Sequence, residues 1–216
     1  MTGLILKDFF VMRKSLKSYL FIMALYAVLA WLDILNYGFI ITFIQVMLMV
    51  LPITAFSYDE LAKWDRYAMS LPLGRGSVVG ARYLFMLILT LVTTAIGLAT
   101  TAILALVREA EPVEMLLTLE VSTTIGLLVP AIILPLCYKL GAERARPYLY
   151  AIIFIPIILF VLLAKIDALD FSALKPLDDL PPSALLGGAA LLPAAGLAGL
   201  FVSYLISCRV AAGKEY

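Results

Sequence analysis

Apolar runs long enough to cross a bilayer, about 20 residues each, alternate with short polar interruptions along this chain. The runs cover roughly residues 19–35, 39–56, 78–107, 113–138, 147–164 and 183–208. Water is absent from the hydrocarbon core, so each run must satisfy its own backbone and is predicted to be a helix. Residues 1–18 carry a different pattern. Ile5, Phe9, Met12 and Leu16 form a stripe, and Lys7, Arg13, Lys14 and Lys17 supply basic heads, as in a helix lying in the membrane interface. The longest polar interruption is 57–82. There Ser57 and Glu60 have the spacing of a capping box, and Leu61, Trp64, Ala68 and Leu71 recur at helical intervals. Asp59, Glu60, Lys63 and Arg66 fall mostly elsewhere on the wheel. Pro72 removes an amide donor and restricts Leu71, and Gly74 and Gly76 make a turn. A short amphipathic helix shaped for docking is therefore expected over 57–76. Residues 139–146 read as a second polar loop, and 165–182 as a longer loop with three prolines.

The expected architecture is all-α: a polytopic membrane protein with six transmembrane helices, an N-terminal interfacial helix and a cytoplasmic docking helix. One domain covers 1–216. Composition agrees. Of 216 residues 64% are hydrophobic, mean hydropathy is +1.07, and soluble domains run nearer one half apolar. The formal charge of +1 gives no reason to expect nucleic acid as a partner. The distribution of charge says more. Thirteen of the 16 Lys and Arg lie in 1–18, 57–82, 139–146 and the tail after 208, leaving Arg108, Lys165 and Lys175 elsewhere. By the positive-inside rule both termini and the docking helix are cytoplasmic. No small-residue cleavage pattern follows the first apolar run, so a cleaved leader is not expected. Cys137 and Cys208 fall near predicted cytoplasmic helix ends and read as unpaired thiols in a reducing compartment.

The residue types needed for common chemistry are missing. There is no histidine, which removes zinc sites of the HExxH kind and His-based proton transfer. Gly74-Arg75-Gly76-Ser77 has neither the spacing nor the Lys of a Walker A loop, and no GxSxG elbow occurs. The chain is expected to be no enzyme and to hold no cofactor or metal. Glu120 is the carboxylate well inside a predicted span, which by default marks function. The alternative is snorkelling, or a bond to Thr123 or Thr124. The third and fourth spans are rich in hydroxyls, and Thr94, Thr101 and Glu120 are the candidate lining of a substrate path. Interhelical packing is the competing account. Ala195, Gly199, Ser203 and Ser207 form a small-residue stripe that permits close helix approach, within the chain or between chains. Tyr58, Trp64 and Tyr67 fit either docking or an aromatic belt at the bilayer surface.

The run SYDELAKWDRYAMSLPLGRGSVVGARY resembles the signature of small bacterial permeases of the type-2 ATP-binding cassette (ABC) exporter class. Within it the chain is most similar to the group with bacteriocin and phenol-soluble modulin exporters. The motif is confined to 57–83, while the layout is similar over the entire chain. The resemblance implies that the helix around 59–71 couples to a separate ATPase subunit, present in two copies, which binds ATP and Mg. Tyr58, Asp59, Glu60, Lys63, Trp64, Asp65, Arg66 and Tyr67 would form that contact. Lys139, Glu143 and Arg144 would add a second, smaller one. It further implies a second permease chain, the same or homologous, in the bacterial cytoplasmic membrane. The loop 165–182 would fold partway back into the bilayer, and the cargo would be an amphipathic peptide or another hydrophobic molecule. A membrane anchor or sensor that recruits a cytoplasmic partner through the same helix is the competing reading. A secondary transporter is disfavoured by the lack of inverted repeats and broken-helix pairs.

Overall fold

The computed structural model describes residues 2–32, 37–64, 67–68, 74–108, 112–166 and 182–213, and every regular element among them is an α-helix. In chain order these are α1 (Thr2–Val11), α2 (Arg13–Trp31), α3 (Tyr37–Leu61), α4 (Arg75–Arg108), α5 (Pro112–Leu140), α6 (Ala142–Lys165), α7 (Pro182–Ala189) and α8 (Leu191–Ala212). Among the described residues, four stretches are long and apolar enough to cross a membrane: Gly76–Ile103, Val113–Leu140, Ala142–Lys165 and Leu185–Ala212. They correspond to the third to sixth predicted spans. The first two predicted spans fall on α2 and α3.

Helix α5 occupies the middle and packs on α3, α4, α6 and α8. Its Leu127, Ile133, Leu134 and Cys137 meet Ile53 and Phe56 of α3, Val79, Tyr83 and Met86 of α4, Ala142 and Leu149 of α6, and Leu200 of α8 in one core. Small residues set the approach of helices. A Cβ on Gly97 of α4 would lie 2.5 Å from Leu119 Cδ1, and one on Gly196 of α8 would lie 3.1 Å from Leu127. In lipid such close contact replaces the hydrophobic drive that water supplies elsewhere. The small stripe on α8 splits. Ser203 and Ser207 are buried inside the chain, where their hydroxyls share hydrogen bonds of 2.6 and 2.8 Å with Tyr83 Oη. Ala195 remains exposed, and Gly196 takes its place in the contact. Cys137 and Cys208 are free thiols, as expected.

Three stretches depart from the sequence pattern. Residues 1–18 are not one interfacial helix: α1 stops at Val11 and α2 carries the basic residues directly into the first apolar run. Met12, at the joint, is fully buried with Leu51, Ala55 and Phe85, and Ile5 and Leu16 pack beside it. Phe9 of the same stripe is 50% exposed. The second departure is at Ser57–Glu60, which lies in the last turn of α3 and begins no new helix. Ser57 Oγ donates back to Ile53 O at 2.9 Å, the interior use of a serine that competes with its capping use. Helix α3 ends instead near Lys63, which takes the left-handed φ of 51°, a usual helix terminator. Third, 139–146 is not a loop. The chain turns at Gly141 alone (φ 87°, ψ 165°), and Ala142 already opens α6 with Pro147 inside it. That backbone region is almost restricted to glycine, so one residue replaces the predicted loop. Residues 33–36 and 109–111, Pro72 and most of the loop 165–182 lie outside the described residues.

Candidate functional site

The last turn of α3 is held by three other helices, and successive polar residues reach them in different directions. Asp59 turns inward. Its carboxylate accepts from Lys7 Nζ of α1 at 2.7 and 2.9 Å and from Arg82 Nη2 of α4. Asp8 of α1 completes the cluster, 3.0 Å from Lys7 Nζ and 3.3 Å from Arg82 Nη1. Glu60 points the other way, and its Oε2 accepts the Ala142 amide at 3.1 Å, capping the first turn of α6. Ser57 accepts from Arg146 Nη2 of α6 at 3.0 Å. The turn at Gly141 and the Glu60 carboxylate fit as a pair, since a Cβ at 141 would collide with Glu60 Oε1.

Physically the cluster balances two cations against two anions. Asp8, Asp59 and Arg82 are buried and Lys7 is partly so. Taking such groups out of water costs several kcal/mol per ion unless each meets its counter-charge. Here each does, and aromatic faces add to it. Lys7 Nζ sits 4.4 Å above the Trp64 ring, and Arg82 Cζ 4.7 Å from the Phe56 centroid. Position is what the arrangement secures: any slip of α3 along α1 or α4 would leave a buried charge without its partner.

Beside this turn lies a cavity of about 330 Å³ whose lining includes Ser57, Glu60 and Leu61 of α3 and Glu143, Arg144 and Arg146 of α6. The two polar stretches singled out in the sequence therefore share one surface. Leu61 is 80% exposed there, and Tyr58 and Tyr67 are 38% and 58% exposed. Glu60, Lys63, Lys139, Glu143 and Arg144 are exposed as well. Trp64 is half-buried, between Lys7 and Tyr67 at a ring distance of 5.2 Å. Asp59 is on the inner side, in the ion cluster. Asp65 and Arg66 lie outside the described residues. From the sequence Leu61 is named only as part of the helix stripe and Lys7 only as a basic head, while Asp8, Arg82 and Arg146 are not singled out. An available signal was Asp8, an acid within the otherwise basic first segment, and Arg82, a cation already inside an apolar run.

Thr94, Thr101 and the Glu120 carboxylate share no hydrogen bond with one another. Thr101 Oγ1 donates to Gly97 O of its own helix at 3.0 Å. Thr94 Oγ1 and Glu120 Oε2 are buried without a hydrogen-bond partner and so do not bond each other. Thr124 Oγ1 meets the backbone oxygen of Glu120 at 2.7 Å, and Thr123 Oγ1 accepts from Gln45 Nε2 at 2.9 Å. Neither is the side-chain partner anticipated for Glu120.

No curated protein and no solved structure matches the chain. Residues 3–211 do match the family described as ABC-2 family transporter protein. A match over almost the entire length, on a helical bundle with four candidate membrane spans, places the chain among the ABC-2 family transporter membrane proteins.

Proposed function

We propose that the chain is the permease subunit of an ATP-driven exporter, with the exposed face of the α3 end and the start of α6 as the dock for the ATPase. The family generally implies such an ATPase partner and a membrane subunit that is not itself catalytic. The observation that carries the assignment of the dock is the last turn of α3. It is tied to α1 and α4 through Asp59 and to α6 through Glu60 and Ser57. A load applied at Leu61, Tyr58 or Trp64 is thus shared by three further helices at once. Leu61, Tyr58 and Tyr67 supply apolar and aromatic area, and Lys63, Glu143 and Arg144 supply the charged rim. In this reading α2 and α3 make up six spans, the basic end is cytoplasmic, and two permease chains form the path. From Phe154 to Leu162, α6 shows apolar side chains that are about half exposed on every side, a surface suited to lipid or a second permease. The cargo is an amphipathic peptide or another hydrophobic molecule.

Retention of the ATPase on the purified permease, at matched expression, tests the dock. Leu61→Asp buries a charge at the centre of the contact and is expected to release the partner. Trp64→Ala is expected to cost about 2 kcal/mol, roughly thirtyfold in affinity. Phe160→Ala, remote from the dock, is the control and should keep the partner. Full retention and transport by the Leu61 variant would remove the dock from this face.

A further inference from the structure

A second cavity, of about 400 Å³, lies between α3 and α5, away from the ion cluster. Its wall is apolar, with Leu117, Val121 and Ile125 on one stripe of α5. Val121 and Ile125 are 45% and 46% exposed, so it opens along the flank of the bundle. The hydroxyls around it are already used: Thr42 donates to Gly38 O, Thr118 to Glu114 O and Ser122 to Leu119 O, each within its own helix. Two polar groups are left to a ligand. Glu114, in the first turn of α5, is an exposed carboxylate at one end of the lining. Gln45 is 1% exposed; its Nε2 donates to Thr123 Oγ1 and its Oε1 has no partner. Turning the amide over only exchanges which end is free. A buried polar atom without a partner is costly in hydrocarbon surroundings, and the side chain that carries this one lines a space of ordinary ligand size. Gln45 is level with Thr123, and Thr123 follows Glu114 by nine residues, about 14 Å along the helix axis.

The structure assigns to this groove a single-chain amphiphile with an ammonium head at Glu114 and a hydrogen-bonding group on its tail at Gln45. The apolar stem lies on Leu117, Val121 and Ile125. Charge and spacing select this occupant: the carboxylate takes a cation, the apolar stripe takes a chain, and the orphan amide takes a polar group at a set distance. Glu120 is off this stripe and has no part in it. The assignment does not depend on ATPase docking.

The test uses the full-length permease in nanodiscs without the ATPase. A diazirine-bearing alkylamine is photocrosslinked and competed by dodecylamine, by dodecanol, and by the amino-alcohol carrying both groups at opposite ends of one chain. Labelling is expected on the peptide spanning 113–125, and Ile125→Trp, which fills the groove, should abolish it. Glu114→Gln should weaken competition by both amines about tenfold and leave dodecanol unchanged. Gln45→Leu should weaken the amino-alcohol about fivefold and spare dodecylamine. Each comparison holds the ligand constant, so its partition into the bilayer cancels. Labelling that survives Ile125→Trp, or head and tail preferences that both variants retain, overturns the assignment. So does a disulfide-linked dimer from Val121→Cys in a chain lacking Cys137 and Cys208, which would put a second copy in the groove. A permease that retains its ATPase but is not labelled loses this inference alone. One that is labelled but binds no ATPase loses only the dock.

Discussion

The two halves of α3 handle polar groups in opposite ways. At its last turn, Ser57, Asp59 and Glu60 are each matched by a group on another helix. At mid-length, Gln45 reaches Thr123 with one end of its amide and leaves the other free. The neighbouring hydroxyls of α4 and α5 mostly bond the carbonyl one turn back in their own helix, as Thr90, Thr93, Thr100 and Thr118 do. Charges matched across helices fix relative position, because sliding exposes an unpaired buried ion. Hydroxyls that bond within one helix leave it free to move against its neighbours at little polar cost. The cross-helix ion pairs of the described residues are therefore gathered around the last turn of α3, while most hydroxyls along the bundle serve their own helix.

The contrast breaks most visibly at the ion cluster. Arg82→Met leaves Asp8 and Asp59 facing only Lys7, and is expected to lower stability by about 3–5 kcal/mol, read as thermal unfolding of the purified permease. Adding Asp8→Asn restores charge balance and should recover most of the loss. No recovery would mean that the packing of Arg82 on Phe56, and not its charge, holds this end together. Next comes the turn between α5 and α6. Gly141→Ala forces a side chain into a glycine-only conformation and against Glu60, for an expected loss of about 1–3 kcal/mol. Combining it with Glu60→Ala relieves the collision but not the strain, so chemical denaturation should show only partial rescue.

Outside the ion cluster and this turn the expected effects shrink. Tyr83→Phe removes the hydroxyl shared by Ser203 and Ser207 and should cost about 1 kcal/mol, with a matching drop in melting temperature. Ser207→Ala should show little further effect in that background. Thr101→Val is the smallest. Its hydroxyl serves only its own helix, so stability should change by no more than about 0.5 kcal/mol and transport should stay at the wild-type level. A clear transport defect at unchanged stability would show that Thr101 faces cargo after all, and that the bundle is less indifferent there than its hydrogen bonds indicate.

Much of the fold was legible in the sequence. Long apolar runs in a chain this hydrophobic leave helices as the only way to satisfy the backbone, and α4, α5, α6 and the α7–α8 stretch follow the predicted spans closely. The polar stretches at 57–82 and 139–146, singled out by composition, come together around one cavity. Their internal structure was not legible. A capping box and a serine bonding back inside a helix use the same residues, and the choice at Ser57 depends on whether α3 has already ended. A polar octapeptide reads as a loop until Glu60, 82 positions away from Ala142, supplies the cap that lets α6 begin at once.

What the amino-acid sequence determined by itself, then, is whatever depends on one segment and its solvent: helix, span and the uneven placement of Lys and Arg. What tertiary structure alone decided is the meaning of each charged side chain. Lys7 and Asp59 stand in segments that read as solvated faces, yet they meet 52 positions apart in a partly buried pair, and Arg82 closes the same cluster from a third helix. No periodicity reports such a meeting, because the Coulomb gain that offsets desolvation exists only once both partners have been brought to within about 4 Å. The free end of Gln45 belongs to the same class: an amide in an apolar run looks like any packing contact until its one partner, Thr123, and the empty space beside it are both seen.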